Sequence, residues 1–195
     1  MNEILQPYMT GDLEDYQDFL ARPECTIEDR KDALVLIAAQ NWDECLEICI
    51  NRNDPLLKSK YGAQAWLTMA GNGYTDCWMQ MIPLFYQNST EQTIWKEALT
   101  MCVADSAEGN HWDTYALTKT LQGFVEHNIR GDSAEMALIS MRIELLHGMD
   151  SGSSDQSIAD AFAYKHIAPL VENPDAPLHQ TIEFNFGSDP SLSDR

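Results

Sequence analysis

The sequence predicts an all-α fold: an array of antiparallel helix pairs, with an acidic N-terminal helix and a mostly irregular C-terminal tail. Apolar residues recur at helical spacing in short runs broken by turn formers, and one such run reappears 32 residues later (33 to 65). At 195 residues the chain can bury one sizeable core, so residues 1–171 are expected to form a single domain.

Residues 12–21, "DLEDYQDFLA", read as the acidic helix, with Leu13, Tyr16 and Leu20 on one face. They belong to a cap spanning residues 1–27. The stretch "ALVLIAAQNWDECLEICINRND", residues 33–54, reads as two helices rather than one. Ala33, Leu34, Ile37 and Ala38 share a face of the first, and Cys45, Leu46, Cys49 and Ile50 share a face of the second. Asn41 suits the left-handed conformation that ends a helix, and Asp43 is expected to cap the next one. Pro55 disfavours helical geometry at Asp54 and so stops the second helix.

Residues 65–82, "AWLTMAGNGYTDCWMQMI", lie under residues 33–50 at that offset. Ala33 meets Ala65, Ala38 meets Ala70, Cys45 meets Cys77 and Ile50 meets Ile82, while Asn41 falls over Gly73. Further steps of 32 from Ala70 reach Cys102 (70 to 102) and Ala134 (102 to 134), again small residues. A third copy keeps Ala98-Leu99 and is expected to carry an insertion near residues 105–113. "ELLHGMD", residues 144–150, echoes "ICINRND".

On these residues the chain resembles the ankyrin-repeat family over about residues 28–150. Leu34 corresponds to the apolar start of helix one, Ile37-Ala38 to its paired small residues, and Asn41 to the turn glycine. Cys49-Ile50 and Asn53-Asp54 correspond to the second helix and closing loop. The family's threonine-proline opening is absent from every copy. An irregular bundle of generic amphipathic helix pairs is the alternative. The resemblance implies a protein-binding array without catalysis.

Residues 156–171, "QSIADAFAYKHIAPLV", read as a closing helix with Ile158, Ala161, Phe162 and Ile167 as its apolar set. "DSGSSD", residues 150–155, reads as a flexible linker. Residues 172–195 form an acidic tail in which "TIEFNF", residues 181–186, alternates as a short strand or docked segment would.

Charge is the strongest functional signal. The chain carries 31 acidic and 12 basic residues, a net charge of −19. Direct binding to nucleic acid or an anionic membrane is opposed, and a basic protein becomes the expected partner. The acids concentrate at both ends: residues 1–54 hold 13 acids and 4 bases, residues 55–131 hold 7 and 5, and residues 132–195 hold 11 and 3. Five cysteines without framework spacing, no basic leader and no long apolar run point to a soluble protein of a reducing cytoplasm.

No motif supports catalysis or a cofactor. Cys45 and Cys49 share a helix face but lack a second pair, so they read as buried thiols. The five histidines form no metal-ligand pattern, "GNG" at 71–73 lacks the context of a phosphate loop, and no nucleophile elbow occurs. The candidate partner-binding residues are therefore Asp12, Glu14, Asp15, Asp18, Glu28, Asp29, Asp32, Asp43, Glu44 and Asp76, with Trp42 and Tyr74 in the first two hairpin turns as aromatic anchors.

The expected function is stoichiometric neutralisation of a basic, nucleic-acid-handling protein, as immunity proteins, antitoxins and phage counter-defence proteins do. The carboxylates could stand in for nucleic acid phosphates, since about 40 Å of duplex carries roughly 24 of them. An adaptor docking an apolar partner segment is the alternative, and an enzyme of unfamiliar helical type is a third.

Overall fold

The computed structural model describes residues 10–87, 92–130, 132–148 and 155–172. Its helices are α1 (Leu13–Ala21), α2 (Ile27–Gln40), α3 (Asp43–Asn51), α4 (Lys60–Gly71), α5 (Thr75–Gln80), α6 (Ile82–Gln87), α7 (Gln92–Glu108), α8 (Trp112–Glu126), α9 (Asp132–Gly148) and α10 (Gln156–Glu172), with a 3₁₀ turn at Pro55–Lys58. There is no strand among the described residues. The linker residues 150–154 and the expected strand at 181–186 lie outside them.

The stretch 33–54 is two helices, separated where Asn41 adopts φ 59°, ψ 41°. Its left-handed backbone lets the Trp42 N–H reach back to the Ile37 carbonyl at 3.2 Å, which closes the end of α2. Gly73 (φ 72°) and Asn110 (φ 59°) do the same after α4 and α7, with Tyr74 N–H bonded to Met69 and His111 N–H to Ser106, both at 2.9 Å. The residue after each left-handed position has nearly the same backbone: Trp42 at −84°, 79°, Tyr74 at −83°, 68°, His111 at −85°, 71°. From Asn41 to Gly73 the interval is 32 residues (41 to 73), and from Gly73 to Asn110 it is 37 (73 to 110).

One capping expectation is corrected. Trp42 precedes α3 and Asp43 is already its first helical residue, where its Oδ1 accepts the Glu44 N–H at 3.0 Å. One residue after the left-handed turn suffices to redirect the chain, so the helix begins a position earlier than a carboxylate cap requires.

Two layers result. In one, α2 packs on α4 and α4 on α7; in the other, α1 packs on α3 and α3 on α5. Helix α8 returns along α7 and supports both α9 and α10. Trp66 sits at the centre, stacked on Trp78 with ring centroids 5.0 Å apart and touching Phe85 and Trp95 at 5.4 and 5.3 Å. Its Nε1–H donates to the Trp78 carbonyl at 3.0 Å, which satisfies the buried indole. Cys45, Cys49, Cys77 and Cys102 are buried as free thiols, and Ala38, Ala70, Cys102 and Ala134 are completely enclosed.

Helix α10 departs from its predicted face. It buries Ala159, Ala163 and Leu170, leaving Ile158 exposed and Phe162 and Ile167 half-buried. On α8, Gly123 opens a notch that receives Ile167: a Cβ there would stand 2.5 Å from Ile167 Cδ1. Gly123 on α8 and Ala159 and Ala163 on α10 permit a close approach, while Ile158 faces solvent.

Candidate functional site

The turns bring the N-terminal ends of α1, α3, α5 and α8 to one edge. Asp12 lies near Cys45 and Tyr16 touches Cys49, so α1 and α3 run parallel and in step. Asp43 acts on the thiol of Cys77 as Asp76 does, which aligns α3 with α5. Thr75 Oγ1 lies 2.7 Å from Thr114 Oγ1 and donates to Asp113 Oδ2 at 2.9 Å, which ties α5 to α8. Each helix therefore presents a carboxylate where its N-terminal dipole favours one: Asp12, Asp43, Asp76 and Asp113.

Several of these carboxylates already have partners. Asp12 caps α1, accepting from Glu14 N–H at 2.8 Å and Asp15 N–H at 3.4 Å. The Thr10 hydroxyl donates to Asp15 at 2.8 Å. Arg142 of α9 closes the row, reaching Asp76 through Nη2 at 2.9 Å and Asp113 through Nη1 at 3.3 Å. Glu14, Asp43 and Glu44 remain exposed on the same edge, as does Asp18 further along α1.

Glu28 and Asp29 are elsewhere, at the start of α2, about 20 Å along the helix from the turn at Asn41. Glu28 pairs with Lys31 at 2.6 Å, and Asp32 is exposed in the next turn. Asp29 is buried, contrary to its expected place at a partner surface. Its Oδ2 accepts from the Thr26 N–H at 2.8 Å and the Thr26 hydroxyl at 2.6 Å, and the Asp29 N–H donates back to Thr26 at 3.2 Å. A carboxylate closed into a capping box is spent on the helix end.

Trp42 and Tyr74 are half-buried rather than projecting. The Trp42 indole covers Gly11, where a Cβ would lie 2.6 Å from Nε1, and the Tyr74 hydroxyl donates to the Ala39 carbonyl at 3.3 Å. His111 repeats the arrangement against Gly73. Each turn's aromatic ring thus packs against the preceding turn, and only its margin faces solvent.

The sequence reading missed Asp113, Arg142, Thr75 and Thr114. Asp113 was recoverable, since it follows Asn110 by three positions as Asp76 follows Gly73. Arg142 carries no local signal.

Burial pushes the Cys45 thiol up to about 11, with Cys49, Glu44, Asp12 and Asp43 adding to it, and burial likewise raises Cys77 to about 11. Such thiols are poor nucleophiles. Among the described residues no group of three or more histidine, cysteine or acidic side chains could hold a metal ion, and no helix is long and apolar enough to cross a membrane. No family model, curated protein or solved structure matches the chain.

Proposed function

We propose that the protein acts without catalysis, by binding a basic protein along the carboxylate edge formed by α1, α3 and α5. In this reading the partner handles nucleic acid and is neutralised stoichiometrically, as by an immunity, antitoxin or counter-defence protein. The observation that carries the proposal is the alignment of helix N-termini: it gathers Glu14, Asp43 and Glu44 on one exposed edge beside the margins of Trp42 and Tyr74. Aligned charges of one sign steer a complementary surface and fix its register. The α2–α3, α4–α5 and α7–α8 pairs are read as degenerate ankyrin-like units, supported by their common turn geometry.

The test is capture on the immobilised full chain from a cytosolic extract, eluted by a salt gradient and identified by mass spectrometry. A basic protein should elute at moderate salt, and the charge reversal Glu14→Lys, Asp43→Lys, Glu44→Lys should slow its association at least tenfold. Retention insensitive to both salt and charge reversal would refute the electrostatic reading.

A second reading has its own observation. Met136, Ile139, Ile143 and Leu146 form an exposed stripe along α9, with Leu146 64% accessible. Apolar residues lie on both sides of that helix, as in one covered from two directions. An adaptor docking an apolar segment there would hold its partner through high salt and lose it on Ile143→Lys.

A further inference from the structure

A second feature lies away from the carboxylate edge, in the middle of the chain. The C-terminal end of α6, the first turns of α7 and the segment leaving α8 enclose a small cleft of about 20 Å³ that opens to solvent. Tyr86, Gln92, Lys96 and Arg130 line it over an apolar floor that includes Phe85 and Ile129.

The polar groups of this cleft are poorly accounted for by the fold itself. The Tyr86 hydroxyl is buried and has no hydrogen-bond partner among the described residues. Lys96 and Arg130 are exposed, and neither makes an ion pair with a described residue. That is unexpected in a chain where acids outnumber bases 31 to 12. Two of the five basic residues between positions 55 and 131 converge on one cleft, in the segment where net charge is least negative.

We propose that this cleft binds an oxyanion group, carboxylate or phosphate, held between Lys96 and Arg130 with the Tyr86 hydroxyl as a hydrogen-bond donor. The donor set is complete for such a group: a guanidinium that can bind two oxygens, an ammonium, a phenol and the Gln92 amide. A buried hydroxyl without a partner calls for a water or a ligand, and two neighbouring cations that no described residue pairs favour a charged one. Burial raises the Tyr86 pKa, Glu135 of α9 adds to the rise and Arg130 opposes it, so the phenol keeps its proton to donate. The mouth is open, so the group can be the end of a larger molecule. The site is independent of the carboxylate edge, and its failure would leave the binding proposal untouched.

Sodium phosphate and sodium acetate, titrated separately into the ¹⁵N-labelled full chain at constant ionic strength held with sodium chloride, test this directly. Saturable amide shifts around Lys96 and Arg130 are expected with at least one anion. A response to acetate alone assigns a carboxylate, and a stronger response to phosphate assigns a phosphoryl group. Lys96→Ala with Arg130→Ala should abolish saturation without unfolding the protein, because both side chains are exposed. Tyr86→Phe should weaken binding about tenfold, as loss of a hydrogen bond to a charged group does. If neither anion saturates, or if saturation survives the double substitution, the cleft holds water only and the proposal is wrong.

Discussion

At the scale of single residues, a carboxylate's sequence neighbourhood says little about which way it faces. Asp29 and Asp32 sit one turn apart on α2, yet Asp29 is buried in a capping box with Thr26 while Asp32 is exposed. Asp29→Ala is therefore expected to lower stability by about 1 kcal/mol, read from the urea midpoint, with no effect on partner association. Asp32→Ala should do neither to a measurable extent in stability. An unchanged midpoint for Asp29→Ala would contradict the capping geometry. Cysteine placement was legible because a free thiol in an apolar helical run behaves as a small hydrophobe. Trp66, Trp78 and Trp95 were legible as core for the same reason, whereas Trp42 and Tyr74 sit at turns, where only the neighbouring turn decides exposure.

At the scale of elements, the helix ends are set by local chemistry and were largely readable. Asn41 and Gly73 mark two ends in the sequence, and Asn53, Asn110 and Asn128 adopt the same left-handed backbone without having been singled out as such. Asparagine tolerates this conformation, but its presence alone does not select it. Asn110→Ala should cost about 1 kcal/mol in chemical denaturation while Asn110→Gly is tolerated, because alanine keeps the β-carbon at positive φ without asparagine's local hydrogen bonding, whereas glycine removes the β-carbon. Equal stability of the two variants would sink that account. Faces were less readable than ends. Helix α10 carries apolar residues on several sides, and its packing against α8 buries Ala159 and Ala163, seats Ile167 at the Gly123 notch and leaves Ile158 exposed.

At the scale of the whole molecule, stability depends on keeping the buried thiols and phenols neutral. Burial pushes Cys45, Cys49 and Cys77 up to about 11 and Cys102 up to about 12, and the Tyr16 phenol is raised by burial and by Cys49. Unfolded thiols ionise near 8.5, so above that pH the unfolded chain releases protons that the folded chain retains. The stabilisation is complete below pH 8.5 and is lost as pH rises toward 11. Urea midpoints should hold between pH 7 and 8.5 and fall steadily to pH 10.5. A flat profile over that upper range would show that these thiols are not sequestered.

Composition and local pattern, by themselves, determined that this chain is helical and acidic, where many of its helices end, and that four of its five cysteines and three of its tryptophans lie inside. These properties follow from interactions within a few residues of one another: helical periodicity, proline and asparagine backbone preferences, and the transfer of apolar side chains from water. Only the tertiary structure decided which acids are consumed by caps and by Arg142, which face of α10 is buried, and that Tyr86, Lys96 and Arg130 meet in one cleft. Each of those outcomes depends on side chains far apart in sequence, whose contacts are fixed by how the helices pack.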